Sequence, residues 1–210
     1  RLDKMLKLTD VTLAAIDGFN PLSTLAAIRE SMKWVEFGSV VFLTDTIQWK
    51  PGSLGTPIPG LKIIHFPTPT RMSYEHGLHR EPIKFLTTPF LLHMEADSGV
   101  INPEAWEPDF FNYDYIGAPW PNHNAIGWPA CNQSNNVGNG GFTLKSKKWC
   151  QEIAELSKQA GNHPSTLISD AWACRTVRNN LVSKGIKFAP SNVAGRFSCE
   201  ARIYSGQFGF

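Results

Sequence analysis

The segment that decides the fold is "DVTLAAIDGFNPLSTLAAIRESMKWVEFGSVVFLTD", residues 10–45. It opens with an apolar run, Asp10 to Asp17, that has the length of a buried strand. Pro21 follows at a position where a first helical turn tolerates proline, and apolar residues then recur at helical spacing: Leu22, Leu25, Ala26, Ile28 and Met32. A second apolar run, Ser39 to Asp45, ends in an acid. Strand, helix and strand within about 35 residues predict a βαβ crossover and therefore a parallel sheet.

The same alternation continues through the first half of the chain. Gln48–Gly60 is rich in proline and glycine, which is typical of a loop. We predict a third strand at Leu61–Phe66, a helix at Ser73–Leu86 that is interrupted near Pro82, and a fourth strand at Phe90–Met94. Because ligands of α/β sheets bind at the carboxyl ends of the strands, this half is expected to bind a nucleotide.

The second half is less regular. A strand is predicted near Tyr115–Gly117, a long glycine-rich polar loop at Asn122–Gly141, and a change from strand to helix in "FTLKSKKWCQEIAEL". One further helix is predicted over residues 165–185, because it ends at Gly185 and carries apolar residues on one face: Leu167, Ala171, Cys174, Val177 and Leu181. With no repeat and no linker, residues 1–210 are interpreted as one domain, with a nucleotide-binding half at 1–98 and an acceptor-binding, catalytic half at 99–210.

Composition narrows the class of protein. Hydrophobic residues make up 42% and charged residues 18%, a globular balance, and the formal net charge of +2 argues neither for nor against nucleic acid or an anionic membrane. The four cysteines form no CxxC pair, which excludes zinc-ribbon spacing and favours a reducing compartment. No apolar stretch approaches the ~18 residues of a membrane span. We therefore expect a soluble, cytoplasmic or otherwise intracellular protein. Asn132 begins a glycosylation sequon of a kind that also arises by chance.

A pair of acids, Glu95 and Asp97, directly follows the fourth predicted strand in "LLHMEADSGV". Strand alternation would point both side chains to the same side. Two carboxylates held close repel each other unless a cation lies between them, and such oxygen ligands suit Mg²⁺ or Mn²⁺ shared with a diphosphate. Acid-x-acid patterns are common, so a solvated loop is the alternative. A second such pattern, Glu107-Pro-Asp109, is interpreted as ordinary surface.

Several motifs are specific in combination. They are "YDYIGAPW" at Tyr113–Trp120 and "VGNGGFTLKSKKW" at Val137–Trp149, together with "VTLAAID", "MEADSGVINPE", "SDAWACR" at Ser169–Arg175 and the ending "FSCEARIYSGQFGF". In this order they resemble a family of GT-A-like glycosyltransferase domains over nearly the whole chain. The resemblance implies an α/β, GT-A-like nucleotide-sugar-binding domain, with a mostly parallel central sheet flanked by helices and a Rossmann-like N-terminal half.

The resemblance also implies a reaction. It points to a metal-dependent hexosyltransferase that uses a nucleotide-diphospho-sugar donor, a UDP-sugar first among them, with Mn²⁺ or Mg²⁺ held by Asp97 and Glu95. Relatives carry Gln-x-Asp at this place, so the resemblance makes Asp97 the firmer ligand. Relatives also continue past "FGF" with a histidine, which the resemblance offers as a candidate third ligand. Asp170, in the acidic "SDAW" segment, is the candidate base for the acceptor hydroxyl, and a helix cap is its alternative role.

Further candidates follow from position. Residues at the strand ends and on the segment before the acid pair are predicted to bind the donor: Ala15, Asp17, Asp45, Tyr74, Arg80, Ala96 and Asp97. Residues of the aromatic and glycine-rich segments are predicted to bind the acceptor: Trp120, Asn139, Gly140 and Gly141. For each, a structural role such as a strand end, a tight turn or packing is the alternative, as it is for Trp128. His76 and His79 could be ligands, while His93 is predicted to be a hydrogen-bonded core residue.

Two other classes of function stay open at this point. A nucleotidyltransferase would use the same sheet and metal but attack at phosphorus, and a non-catalytic module would only bind a sugar nucleotide. The acceptor is equally open, because glycans, lipids, proteins and the hydroxylated bases of modified DNA all present hydroxyl groups. The sequence leaves the oligomeric state undetermined.

Overall fold

The computed structural model describes residues 5–121, 136–161, 169–200 and 203–210, and within them six strands form one sheet. The strands are β1 (Leu6–Ile16), β2 (Val35–Thr44), β3 (Leu61–His65), β4 (Phe90–Met94), β5 (Tyr115–Ile116) and β6 (Phe142–Ser146). Their order across the sheet is β3-β2-β1-β4-β6-β5. The first four lie parallel, β6 runs antiparallel to β4, and β5 runs antiparallel to β6. The predicted α/β class with a mostly parallel sheet is confirmed.

Seven helices are described. They are α1 (Pro21–Trp34), α2 (Arg71–Arg80), α3 (Pro82–Phe85), α4 (Lys147–Ala160), α5 (Ser169–Ala171), α6 (Arg178–Ser183) and α7 (Ser191–Phe197). Short 3₁₀ turns lie at Pro51–Ser53, Pro103–Ala105 and Pro108–Asn112. Within the residues described, no helix combines the length and the apolar character that a bilayer crossing requires.

The predicted βαβ crossover is present as β1, α1 and β2. Both carboxylate oxygens of Asp17 are used where α1 begins: Oδ1 accepts from the backbone N–H groups of Phe19 and Asn20 at 2.7 and 2.9 Å, and Oδ2 accepts from the Thr24 hydroxyl at 2.6 Å. Pro21 then opens the helix. This turn fixes the return of the chain, so that β2 pairs in parallel with β1.

The sheet is covered on both faces, because successive side chains of the central strand β1 belong to two different cores. Val11, Leu13 and Ala15 pack on the face that α1 covers, while Ala14 and Ile16 pack on the face that α2 and α4 cover. A strand buried on both sides has an almost continuous apolar sequence, which is why β1 was predictable.

The break near Pro82 is confirmed, since α2 ends at Arg80 and α3 begins at Pro82. The single helix predicted over residues 165–185 is wrong within the described part. A π-helical turn at Trp172–Thr176 follows α5, and Val177 donates its backbone N–H to the Trp172 carbonyl at 2.9 Å, an i→i+5 bond. The extra residue separates α5 from α6.

The C-terminal segment was not predicted as an element, yet it organises one end of the molecule. Phe210 exchanges two backbone hydrogen bonds with Gly99, which directly follows the acid-containing turn. Phe208 is fully buried against the rings of Trp106, Phe142 and Phe197. Because of these contacts, Phe210 lies at the rim of the cavity described below.

Candidate active site

A cavity of about 510 Å³ opens where β4 ends and β6 begins. Six of the predicted site residues line it together: Glu95, Asp97, Asn139, Gly140, Gly141 and Asp170. They come from the turn after β4, from the glycine-rich segment before β6 and from α5. The antiparallel pairing of β4 with β6, in which Met94 lies opposite Phe142, brings these distant segments to one edge of the sheet.

Glu95 is held in place by its backbone and by a tyrosine. Its backbone N–H donates to the Gly141 carbonyl at 3.0 Å and to the Ser98 hydroxyl at 2.8 Å. Tyr74, a predicted donor-binding residue on α2, instead donates its hydroxyl to Glu95 Oε1 at 2.7 Å. Burial and the adjacent Glu95 charge raise the pKa of Tyr74, so it remains a hydrogen-bond donor. The second oxygen, Oε2, has no such partner among the described residues.

Asp97 is exposed and lies in the turn that follows β4 rather than in the strand. Strand alternation therefore does not explain why Asp97 and Glu95 both line the cavity. Their placement follows from the turn, which is held by Ser98, whose hydroxyl donates to the Gly141 carbonyl at 2.8 Å. Ala96 lies half-buried between the two acids. Asp97 makes no hydrogen bond within the described parts of the chain, so its carboxylate is available to a ligand.

Asp170 faces the acid pair from α5. Its Oδ2 accepts from the backbone N–H of Gly140 at 3.1 Å, and its Oδ1 accepts from the N–H of Ala171 at 2.6 Å. Burial raises the pKa of Asp170, and the Glu75 and Glu95 charges add to the rise, whereas the two backbone bonds oppose it. A raised pKa makes a carboxylate a stronger base. Asp170 lies in the first turn of α5 and accepts a backbone N–H there, so its alternative role in stabilising a helix start stays open beside that of a base.

The Gly140 position requires a small residue. A Cβ atom placed there would lie 3.0 Å from Asp170 Cβ, which is closer than side chains normally approach. Gly138 is crowded in the same way, since an added Cβ would lie 2.4 Å from the Trp120 ring. The glycine-rich segment is therefore explained at these two positions by close approach of neighbouring side chains.

The two carboxylates fit a divalent cation that is shared with a substrate. Glu95 Oε2 and the Asp97 carboxylate offer oxygen ligands at one cavity wall, and Mg²⁺ is commonly held by one or two carboxylates with phosphate and water completing its shell. No group of three histidine, cysteine, aspartate or glutamate residues arranged to hold a metal occurs within residues 5–121, 136–161, 169–200 and 203–210. The donor set thus suits a substrate-bridged ion rather than a closed protein site.

Three predicted donor-binding residues lie away from this cavity. Ala15 is fully buried inside the sheet. Both carboxylate oxygens of Asp17 accept hydrogen bonds from residues at the start of α1. Asp45 accepts from the N–H groups of Ile47 and Gln48 at 3.0 and 3.1 Å. It lines a separate cavity of about 260 Å³ beyond the ends of β1 and β2. Asp17 and Asp45 thus occupy the expected strand ends, and their role in donor binding stays a prediction.

Arg80 and Trp120 are occupied by structural contacts. Arg80 donates to the Ser157 hydroxyl and carbonyl at 2.9 and 2.6 Å and to the Gly161 carbonyl at 2.8 Å, which joins α2 to α4. The guanidinium carbon of Arg175 lies 4.2 Å from the centre of the Trp120 ring. Neither residue lines the large cavity. Trp128, Cys131, Asn132 and Leu167 lie outside the described residues.

The three histidines considered at the sequence level, His76, His79 and His93, are buried. His93 is in the core as predicted, but its Nε2 has no hydrogen-bond partner among the described residues, and burial lowers its pKa well below the ordinary value. His76 is also buried, with a lowered pKa whose largest cause is burial. His79 lines the large cavity. None of them lies in a metal-binding group among the residues described.

Sequence reasoning missed four charged residues of the cavity wall: Arg71, Glu75, Lys145 and Glu200. Glu75 on α2 pairs with Arg71 and accepts from the Ser169 backbone N–H at 2.8 Å, which ties α2 to α5. Lys145 on β6 is buried and also lines the cavity. Its signal was a lysine in the apolar strand "FTLKS", where an ordinary core strand has no charge.

Comparison with known proteins gives a family but no activity. A family described as "Protein of unknown function (DUF5672)" matches residues 73–207. This range includes every described residue that lines the cavity except Arg71 and Phe210. The chain belongs to this family. No curated protein matches its sequence. The solved structures that match it include the 4-diphosphocytidyl-2C-methyl-D-erythritol synthase from Anaerococcus prevotii DSM 20548, which is 9% identical with a TM-score of 0.48 over 85% of this chain and 84% of that one.

Proposed function

We propose that this protein is a metal-dependent glycosyltransferase that moves a sugar from a nucleotide-diphospho-sugar to an acceptor hydroxyl. The observation that carries the proposal is the meeting of Glu95 and Asp97 with Asp170 across one cavity. Two of these carboxylates present oxygens to a ligand, and the third is a buried acid with a raised pKa. Sugar transfer requires both kinds of group, one for the departing diphosphate and one for the acceptor proton.

The first requirement concerns the leaving group. A divalent cation bound by Glu95 and Asp97 would stabilise the negative charge that develops on the nucleotide diphosphate. Tyr74 orients Glu95 for this role through its hydrogen bond to Oε1, which leaves Oε2 for the ion. Outer-shell partners of this kind commonly set the geometry and the affinity of metal ligands.

The second requirement concerns the acceptor. Asp170 would take the proton of the attacking hydroxyl on one of its carboxylate oxygens. The backbone N–H groups of Gly140 and Ala171 hold the carboxylate in one orientation, and its burial keeps water from competing for the proton. The acceptor hydroxyl would enter between Asp170 and the open side of the cavity, where Asn139 and Gly141 also lie.

The test uses purified protein, a panel of nucleotide sugars and Mn²⁺ or Mg²⁺. We expect at least one donor to raise the melting temperature only when the ion is present, and to be hydrolysed slowly or transferred when acceptors are added. The Glu95→Gln/Asp97→Asn protein should lose both effects. The matched control is Asp109→Asn, which alters the acid of the other acid-x-acid pattern on the exposed surface and should behave as wild type.

The same panel separates the two competing classes. The panel also includes nucleoside triphosphates with a sugar phosphate. A nucleotidyltransferase would attack at phosphorus and release pyrophosphate from them. Donor binding without turnover on any acceptor would instead indicate a binding module. The proposal fails if no nucleotide sugar binds, or if binding and turnover are unchanged in the Glu95→Gln/Asp97→Asn protein. Acceptor arms include glycans and hydroxymethylated DNA.

A further inference from the structure

Lys145 carries a positive charge at the floor of the large cavity without any charge to balance it directly. Its residue is only 5% exposed. The Nζ atom lies 5.1 Å from the centre of the Trp149 ring. Among the described residues it has no carboxylate within ion-pair distance and donates no hydrogen bond. Burial lowers its pKa, while Cys150, Cys174, Glu95 and Asp170 oppose the shift. A buried cation that no carboxylate contacts is costly, so its presence calls for a ligand.

Three of the five carboxylates that line the cavity with Lys145 are engaged with other groups. Glu75 pairs with Arg71 and accepts from the Ser169 N–H, and Glu95 accepts from Tyr74. Asp170 accepts from two backbone N–H groups. Asp97 and Glu200 have no donor among the described residues, so the acids of the cavity wall outnumber its cations, Arg71 and Lys145. Lys145 is the one of these two cations that no described carboxylate contacts directly.

Two further donors at the same place have no partner within the described residues. His79 is 2% exposed, and neither ring nitrogen makes a hydrogen bond; the Ser169 backbone lies near the ring without normal hydrogen-bond geometry. Burial, with smaller contributions from neighbouring cations, lowers the pKa of His79 to about 3, so the ring is neutral and offers one N–H. Trp149 is 1% exposed, and its Nε1–H is likewise without a partner. Its ring centre is 6.2 Å from that of His79.

These three side chains have one chemistry in common, since all can donate and none of the three is satisfied. Leaving a buried donor unsatisfied costs roughly 1–3 kcal/mol, and more for a charged group. The three side chains offer an ammonium, two N–H groups and, on the neutral His79 ring, one acceptor nitrogen, so donors predominate. A carboxylate or a phosphate, which only accepts, is the complementary group.

We propose that Lys145, His79 and Trp149 form an oxyanion recess, which binds a carboxylate or a phosphate monoester carried by the substrate. The recess differs from the site of Glu95 and Asp97. Lys145 lies opposite Leu91 on β4, four residues before Glu95, so the two residues are roughly 13 Å apart along the strand direction, although both line the same cavity. A role of the recess in sugar transfer rests on the proposed function. In that case the transferred sugar or the acceptor would be one that carries an acidic group. The binding of the anion does not rest on it.

The test separates the recess from the metal site by working in the Glu95→Gln/Asp97→Asn protein, which lacks the proposed ion ligands and their negative charge. Melting temperature and calorimetric affinity are measured with inorganic phosphate, with glucuronate and with neutral glucose. We expect phosphate, glucuronate or both to raise the melting temperature and glucose to leave it unchanged. Which anion binds more tightly distinguishes a phosphate ligand from a carboxylate ligand.

Adding Lys145→Met to this protein should weaken anion binding at least about tenfold, the effect of losing roughly 1.4 kcal/mol from one charge-assisted contact. Methionine fills a similar volume without charge, so the fold should be kept. Lys158→Met on the exposed side of α4 is the matched control and should bind as its parent does. Trp149→Phe keeps an aromatic ring but removes the Nε1–H, and should weaken binding in the same direction.

A crystal soaked in the tighter-binding anion gives a readout that needs no variant. The recess is supported if the anion contacts Lys145 Nζ, and rejected if ordered water alone occupies that place. It is also rejected if neither anion binds, or if Lys145→Met binds as tightly as its parent. These results are independent of the proposed function, which is judged by ion-dependent donor binding in the protein with its native acids.

Discussion

The backbone N–H of Gly140 donates a hydrogen bond to Oδ2 of Asp170 at 3.1 Å, across thirty residues of chain. This bond joins the glycine-rich segment before β6 to the helix α5. It keeps the Asp170 carboxylate turned towards the cavity that Glu95 and Asp97 also line. The orientation of the candidate base therefore depends on a residue that has no side chain.

Gly140→Ala tests this dependence. The new methyl group would lie 3.0 Å from Asp170 Cβ, so either the glycine-rich segment or α5 has to move. We expect a loss of stability of about 1–3 kcal/mol, as for overpacked cores, with a larger relative loss of turnover because Asp170 is displaced. Gly52→Ala, where an added Cβ meets nothing within 4 Å, is the control. Wild-type turnover in Gly140→Ala would contradict the positioning role. Urea unfolding and steady-state kinetics measure the two effects.

Asp170→Asn should separate activity from stability. Without the base, turnover should fall by about 10²- to 10⁴-fold. Burial raises the pKa of Asp170 in the folded state, so folding favours the protonated acid. The resulting stabilisation is present below the unfolded-state pKa and is lost as the pH rises through the folded-state value. At neutral pH the ionised Asp170 carboxylate therefore destabilises the folded state. The Asp170→Asn protein should unfold at a urea concentration equal to or higher than that of wild type.

The pH dependence of the same pair of proteins gives a second readout. In wild type, turnover should fall on the acidic side through a pKa that lies above the ordinary aspartate value of 3.8, because protonated Asp170 cannot accept the acceptor proton. The residual rate of Asp170→Asn should lack this limb. An unchanged acidic limb in the variant would assign it to another group.

Arg80→Met distinguishes a structural from a donor-binding role for Arg80. The guanidinium makes three hydrogen bonds that link α2 to Ser157 in α4 and to Gly161, which directly follows α4. Losing them should cost about 1.5–3 kcal/mol of unfolding free energy, with donor affinity unchanged. Arg29→Met, which removes a single exposed bond to the Thr56 carbonyl, should cost less. A weaker donor affinity without lost stability would restore the predicted donor contact.

Phe208→Ala tests the contribution of the C-terminal segment to the fold. The ring is fully buried, with its centre 5.0 Å from that of Trp106 and 5.8 Å from that of Phe197. Truncating a buried phenylalanine typically costs about 3–5 kcal/mol. Phe210→Ala, on a side chain that is 46% exposed, should change stability by about 0.5 kcal/mol or less. Equal urea midpoints for the two variants would show that Phe208 contributes little.

The fold was predictable wherever one local signal sufficed. The apolar run that became β1 and the helical spacing of α1 gave the crossover, and the proline at residue 82 gave the break between α2 and α3. The helix after residue 169 was not predictable in the same way. Its apolar residues kept helical spacing, but the backbone inserted a π-helical turn at Trp172–Thr176. Apolar spacing did not reveal this turn, because Ala171, Cys174 and Leu181 keep an approximately helical spacing and are buried although the π-helical turn lies among them.

The candidate site divides in the same manner. Glu95 and Asp97 could be named in advance, because an apolar strand that ends in two acids is an unusual local pattern. Lys145 could have been noticed for its place in an apolar strand, whereas Glu75 and His79 carry no local signal. Arg80 and Trp120, predicted to bind donor and acceptor, also have partners far along the chain, namely Ser157 and Arg175, and their binding roles stay predictions.

The amino-acid sequence by itself determined the parallel βαβ half and the acids at the end of its fourth strand, since period, length and strand ends are local properties. Only the tertiary structure decided which acids face each other, which are already bonded, and that Lys145 has no carboxylate in contact among the described residues. The physical reason is that burial and hydrogen bonding depend on neighbours brought together by the antiparallel pairing of β4 with β6 and by the docking of α2 and α5, contacts that span dozens of residues.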